Sequence, residues 1–181
     1  MNMRTIKLPF LMTVFCCTVI LTAPLIHCKK SSTAPEVNPP EQKVTSITLT
    51  CSPSSGGTDT NFSVTVSINN SDREIKVFGL EMIFDADIFK LRRIEAGNLT
   101  ESWAAVDGNE IKKGTLRVGG FAGSGNPIPT GNTGDIAEVK FKVTGNNFNN
   151  GQQSQIRIES YTDDIASMTP LPSVTSFTLN K

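Results

Sequence analysis

The residues able to do chemistry are few and badly placed for it. The 181-residue chain has four cysteines, Cys16, Cys17, Cys28 and Cys51, and one histidine, His27. Beyond position 28 only Cys51 is left. Activating a serine or cysteine nucleophile needs an imidazole to take the proton, and ordinary zinc sites need clustered His or Cys. Cys51 alternates with Ile47 and Leu49, which reads as a buried thiol, and alone it can build no disulfide framework. Two carboxylate pairs, Asp85/Asp87 and Asp163/Asp164, have the residue type for glycosidic acid–base work or for calcium. Each pair flanks a strand as close neighbours, where side-chain-to-backbone turns account for it. The calcium-loop pattern of alternating Asp/Asn closed by glycine is absent. Residues 123–134 (GSGNPIPTGNTG) are rich in glycine, but no Gly-Lys-Ser/Thr follows and no helix begins there, so they read as a loop and not as a phosphate cradle. A planar platform for sugars needs several exposed rings. Trp103 and Tyr161 are the only Trp and Tyr, and Trp103, among Ala104, Ala105 and Val106, reads as core. The expectation is a protein that is not an enzyme, with no catalytic residues, no metal and no cofactor.

The reactive residues of the N-terminus have a different explanation. Arg4 and Lys7 precede an apolar run from Leu8 to Leu21, the layout of a bacterial export signal and too short to span a bilayer. Leu25-Ile26-His27-Cys28 resembles the lipobox at which lipoprotein precursors are cleaved, with His27 departing from the usual small residue. The reading is a signal peptide over 1–27, with Cys28 as the lipidated N-terminus. Multiple acylation would anchor it firmly, since each buried methylene adds ~0.8 kcal/mol. Residues 28–43, with Pro35, Pro39 and Pro40 among Ser and charge, read as a tether. The expected location is the bacterial cell envelope, membrane-anchored and outside the cytoplasm. Of 17 basic residues, two lie in the signal, leaving 15 against 17 acidic ones. That balance gives nucleic acid no electrostatic footing.

Residues 44–181 must position whatever function remains, and their period is two almost throughout. Phe62, Val64, Val66 and Ile68 alternate with Ser63, Thr65, Ser67 and Asn69, the cleanest half-buried strand. Ala137, Val139, Phe141 and Val143 alternate with Glu138, Lys140 and Lys142. In residues 75–97, Phe78, Leu80, Met82 and Phe84 form a core face. The opposite face carries Val77 and Ile83, so it is either covered or offered to a partner. Turn clusters at 53–58, 70–73, 107–114, 123–134 and 145–153 separate about nine strands, with no amphipathic helix. The fold class is all-β, an antiparallel β-sandwich.

Two stretches give this sandwich a family. The first is Phe78-Gly79-Leu80-Glu81-Met82-Ile83-Phe84-Asp85-Ala86, then Lys90-Leu91-Arg92-Arg93-Ile94 and Gly97. The second is Gly134-Asp135-Ile136-Ala137-Glu138-Val139-Lys140-Phe141-Lys142-Val143, with Gly114-Thr115-Leu116-Arg117-Val118 between. Residues 44–181 thereby resemble a cohesin domain, the nine-stranded jelly-roll sandwich that receives dockerin modules in cellulosomes. Phe84 and Ala86 replace the family's usual Tyr and Pro. The resemblance implies a dockerin-like protein module as partner, in the setting of polysaccharide degradation. It places the docking sheet on the third, fifth, sixth and eighth strands, here residues 75–84, 103–106, 115–121 and 155–161. Its outward residues would be Val77, Glu81, Ile83, Arg117, Arg157, Glu159 and Tyr161, an apolar centre with charged neighbours. The competing reading is that the 123–134 loop covers Val77 and Ile83. The alternative functions are carbohydrate binding on the same fold, with a glycan as partner, and a structural or adhesive role in the envelope.

Overall fold

The computed structural model describes residues 45–124, 126–168 and 173–181. The expected signal, lipidated Cys28 and tether lie outside the described residues. Ten strands follow in chain order: β1 (Ser46–Ser52), β2 (Ser55–Gly56), β3 (Asn61–Asn69), β4 (Val77–Ile83), β5 (Phe89–Ala96), β6 (Ala105–Lys112), β7 (Thr115–Phe121), β8 (Gly134–Val143), β9 (Gln152–Asp163) and β10 (Val174–Leu179). They form a four-stranded sheet, β1-β3-β8-β5, and a six-stranded sheet, β2-β10-β9-β4-β7-β6. The strand beyond the expected nine is the two-residue β2, which pairs in parallel with β10. The other pairings are antiparallel. The result is a jelly-roll sandwich.

Alternation in the sequence becomes burial in the fold. Phe62, Val64, Val66 and Ile68 of β3 are 2% exposed or less, while the intervening residues face solvent. The two layers meet through aromatic rings. The Phe62 ring lies 5.0 Å from Phe89, 5.4 Å from Phe141 and 4.4 Å from Phe177. Phe177 belongs to the opposite sheet, so this cluster ties the two layers together, each ring contributing ~1.5–3 kcal/mol by burial.

Two segments differ from the sequence expectation. Residues 107–112 are strand, not loop: β6 runs antiparallel to β7, and the hairpin closes at Gly114, whose φ of +76° suits glycine. The strand expected at 103–106 accordingly starts at Ala105. Trp103 precedes it as a core residue, tilted against Phe78 at 5.6 Å and donating its indole N–H to the Asn126 carbonyl at 3.0 Å. The 123–134 loop sends Ile128 into the core. Ile128 is 1% exposed and bridges to Ile75 by two backbone hydrogen bonds of 2.9 Å.

Candidate functional site

The four strands expected to carry the docking face lie side by side, in the order β9-β4-β7-β6. Register sorts their outward residues into rows across the sheet, since directly opposed residues share a face. Val77 faces Phe121, which faces Ala105. The next row runs Thr162, Gly79, Gly119, Asp107. Then comes Ser160, Glu81, Arg117, Asn109, and then Arg157, Ile83, Thr115, Lys112.

Each row has its own character. Val77 and Phe121, 38% and 49% exposed, make an apolar corner that the 123–134 loop leaves open. The glycine row is a dip in the sheet, because neither central strand puts a side chain there. A Cβ at Gly79 would collide with Thr162 Oγ1. Beside it is a depression of about 220 Å³ lined by Leu80, Glu81, Arg117 and Thr162. Arg117 Nη2 and Glu81 Oε1 are 2.6 Å apart, an ion pair directly across the strands. Arg157 pairs with Glu159 along its own strand. Ile83 is half-buried.

Of the seven residues expected to face outward, Val77, Glu81, Ile83, Arg117 and Arg157 share this face. Glu159, exposed and ion-paired with Arg157, also faces outward, and a bulge at its position displaces Tyr161. The β4–β9 register passes from Glu81↔Ser160 to Met82↔Ile158, so Glu159 is the extra residue and parity flips beyond it. Tyr161 therefore sits opposite the buried Leu80 and packs on the core. This corrects its expected outward position. Its hydroxyl is enclosed without a hydrogen-bond partner, and burial pushes its pKa up.

Phe121 was not among the expected residues although its signal was legible. Counting by two from Arg117 through Gly119 reaches it, but the Gly119-Gly120 pair looks like the end of the strand. The acidic pairs do structural work. Asp85 Oδ1 accepts the Asp87 backbone N–H at 3.0 Å. Asp164 Oδ2 accepts those of Lys76 and Val77 at 2.8 and 3.0 Å, pinning the start of β4. Cys51 is a free, partly buried thiol whose pKa is raised to about 11 by burial.

The family model described as cohesin domain matches residues 47–178. Among solved structures the chain is similar to a cohesin module from a Clostridium perfringens family 33 glycoside hydrolase, at 17% identity and a TM-score of 0.59, covering 76% of this chain and 98% of that one. It is also similar to the cohesin of a type I cohesin–dockerin complex from Clostridium thermocellum, at 19% identity and a TM-score of 0.59, covering 74% and 99%. A non-cellulosomal cohesin from the archaeon Archaeoglobus fulgidus follows at 16% identity and 0.55, covering 75% and 92%. No curated protein sequence matches the chain. At these identities the likeness is one of fold.

Proposed function

The chain belongs to the cohesin family, and from that premise we propose that it is a non-catalytic module that docks a dockerin-like protein on the outer face of its six-stranded sheet. The observation that carries this is the exposed Val77–Phe121 corner, with the Glu81–Arg117 pair across the glycine row on the same face of four contiguous strands. An aromatic anchor sharing a face with an arginine is the composition of an interface centre. A standard interface of ~1,600 Å² in total would engage most of that face. Cohesin modules are binding domains without catalysis, and the C. thermocellum relative is itself in complex with a dockerin.

The envelope setting is part of the same reading. The export signal and Cys28 support a lipid anchor, with residues 28–43 as the stalk. The natural partner would be a dockerin carried by a secreted polysaccharide-degrading enzyme.

The test is affinity capture from the source organism's secreted and envelope proteins, with bound proteins identified by mass spectrometry. Wild type is run beside Ile83→Asp and Phe121→Asp. Retention of a dockerin-bearing protein by wild type, and its loss from variants that keep their melting temperature, supports docking on this face. Capture of no dockerin-bearing protein, or equal capture by all three baits, overturns it. Metabolic labelling with palmitate, lost in Cys28→Ala, tests the anchor separately.

A further inference from the structure

The opposite, four-stranded sheet carries a second and larger depression, of about 470 Å³, with Ser52, Asn61, Ser63, Arg92, Arg93 and Lys140 among its lining residues. Register shows why these residues meet. Ser52 pairs with Ser63, Ser63 with Lys140, and Lys140 with Arg93, one continuous row across all four strands. Asn61, opposite Lys142, opens the next row.

Arg92 joins them through a bulge. The β5–β8 pairing passes from Leu91↔Phe141 to Arg93↔Lys140, leaving Arg92 as the extra residue. A bulge of this kind re-aims its side chain, and both arginines border the same depression. Strict alternation would have put them on opposite faces.

The charges around the depression leave one cation, Arg92, over for an anion. Glu95 holds Arg93 at 2.5 Å, and Lys140 lies 2.5 Å from Glu138 and 3.4 Å from Glu95. These two carboxylates belong to the neighbouring row and do not line the depression. Arg92 has no ion-pair partner among the described residues. Phe62 and Phe141 lie beneath, at 2% and 0% exposure, so no ring is offered for stacking. The Ser63 hydroxyl donates to Glu138 and keeps its oxygen to accept; with the guanidinium forks, the Ser52 hydroxyl and the Asn61 carboxamide, and no aromatic platform, the lining suits a ligand that is both charged and rich in hydroxyls. The volume exceeds what a bare oxyanion fills and falls within the usual range of small-ligand sites.

We propose that this depression binds an acidic saccharide unit. Its carboxylate would lie on Arg92 and Arg93, and its hydroxyls on Ser52, Ser63 and Asn61. The site is on the sheet opposite the dockerin-like face and does not rest on that reading. A module built this way can hold a protein on one face and an acidic polysaccharide on the other.

The experiment is isothermal titration of the purified protein with trigalacturonate, the corresponding neutral galactose trimer and inorganic phosphate. Expected is saturable, salt-sensitive binding of trigalacturonate. Affinity should fall roughly tenfold or more for the neutral trimer and for the doubly substituted Arg92→Ala/Arg93→Ala protein. The double lysine variant, Arg92→Lys/Arg93→Lys, should fall between, because it keeps the charge and loses the fork. Phe121→Ala should bind the saccharide as wild type does, whatever becomes of dockerin binding. Absence of trigalacturonate binding overturns the proposal. So does equal binding by the double alanine variant at an unchanged melting temperature. Phosphate binding as tight as that of trigalacturonate would make this a bare oxyanion site and overturn the saccharide assignment.

Discussion

Phe121→Ala tests the proposed docking face most directly, because the side chain is large, central to the apolar corner and only half committed to the fold. It is 49% exposed. A phenylalanine side chain covers ~150–250 Å² when fully buried, so about 100 Å² remains for a partner to cover. At ~25 cal/mol per Å² that is about 2.5 kcal/mol, of which removal of the ring forfeits about 2, or roughly thirtyfold in Kd. The same change costs the free protein about 1 kcal/mol of stability, since half the ring already touches the sheet. The assay is surface plasmon resonance against the captured dockerin-bearing partner, with thermal melts of each variant. Lys90→Ala, exposed on the other sheet, is the control and should stay within about twofold of wild type. A Phe121→Ala protein that melts normally and binds within about twofold would refute the reasoning, since a covered ring of this size cannot be lost so cheaply.

Three further outcomes follow from the structure. Gly97→Ala should destabilise by about 2 kcal/mol or more in urea denaturation, because a Cβ there would press into the Asp135 backbone carbonyl. Tyr161→Phe removes a buried hydroxyl with no partner, so stability should hold or rise by up to ~2 kcal/mol and partner affinity should not change. Cys51, with its thiol pKa raised to about 11 from an ordinary value near 9, should react with iodoacetamide at pH 8 about a hundredfold more slowly in the folded than in the unfolded protein. The fold favours the protonated thiol. Its contribution to stability is therefore complete below pH 9 and is lost as pH rises from about 9 to about 11.

Period-two alternation made the sandwich legible, because residues such as Phe62 to Ile68 or Ala137 to Val143 can satisfy it only as half-buried strands. The adjacency of the four strands of the proposed docking face was legible too, through the family resemblance. Alternation does not say where it breaks. The bulge at Glu159 sends Tyr161 inward, and the bulge at Arg92 brings two arginines to one face. Both come from pairing between distant strands, which no local window contains. Strand β6 failed for another reason. Asp107, Gly108 and Asn109 are turn formers by propensity, and pairing with β7 overrides that preference in an edge strand where little is buried.

The charges on the proposed docking face cancel. Glu81, Glu159 and Asp107 stand against Arg117, Arg157 and Lys112, and two of these pairs are already closed within the sheet. A surface of this kind projects little field into solvent, so it does not draw a partner from a distance. Encounter then proceeds at the unsteered rate of ~10⁵–10⁶ M⁻¹s⁻¹ and is nearly indifferent to salt. On the proposed face, selectivity would be exercised after contact, in how long a dockerin-like partner stays with Val77 and Phe121 covered.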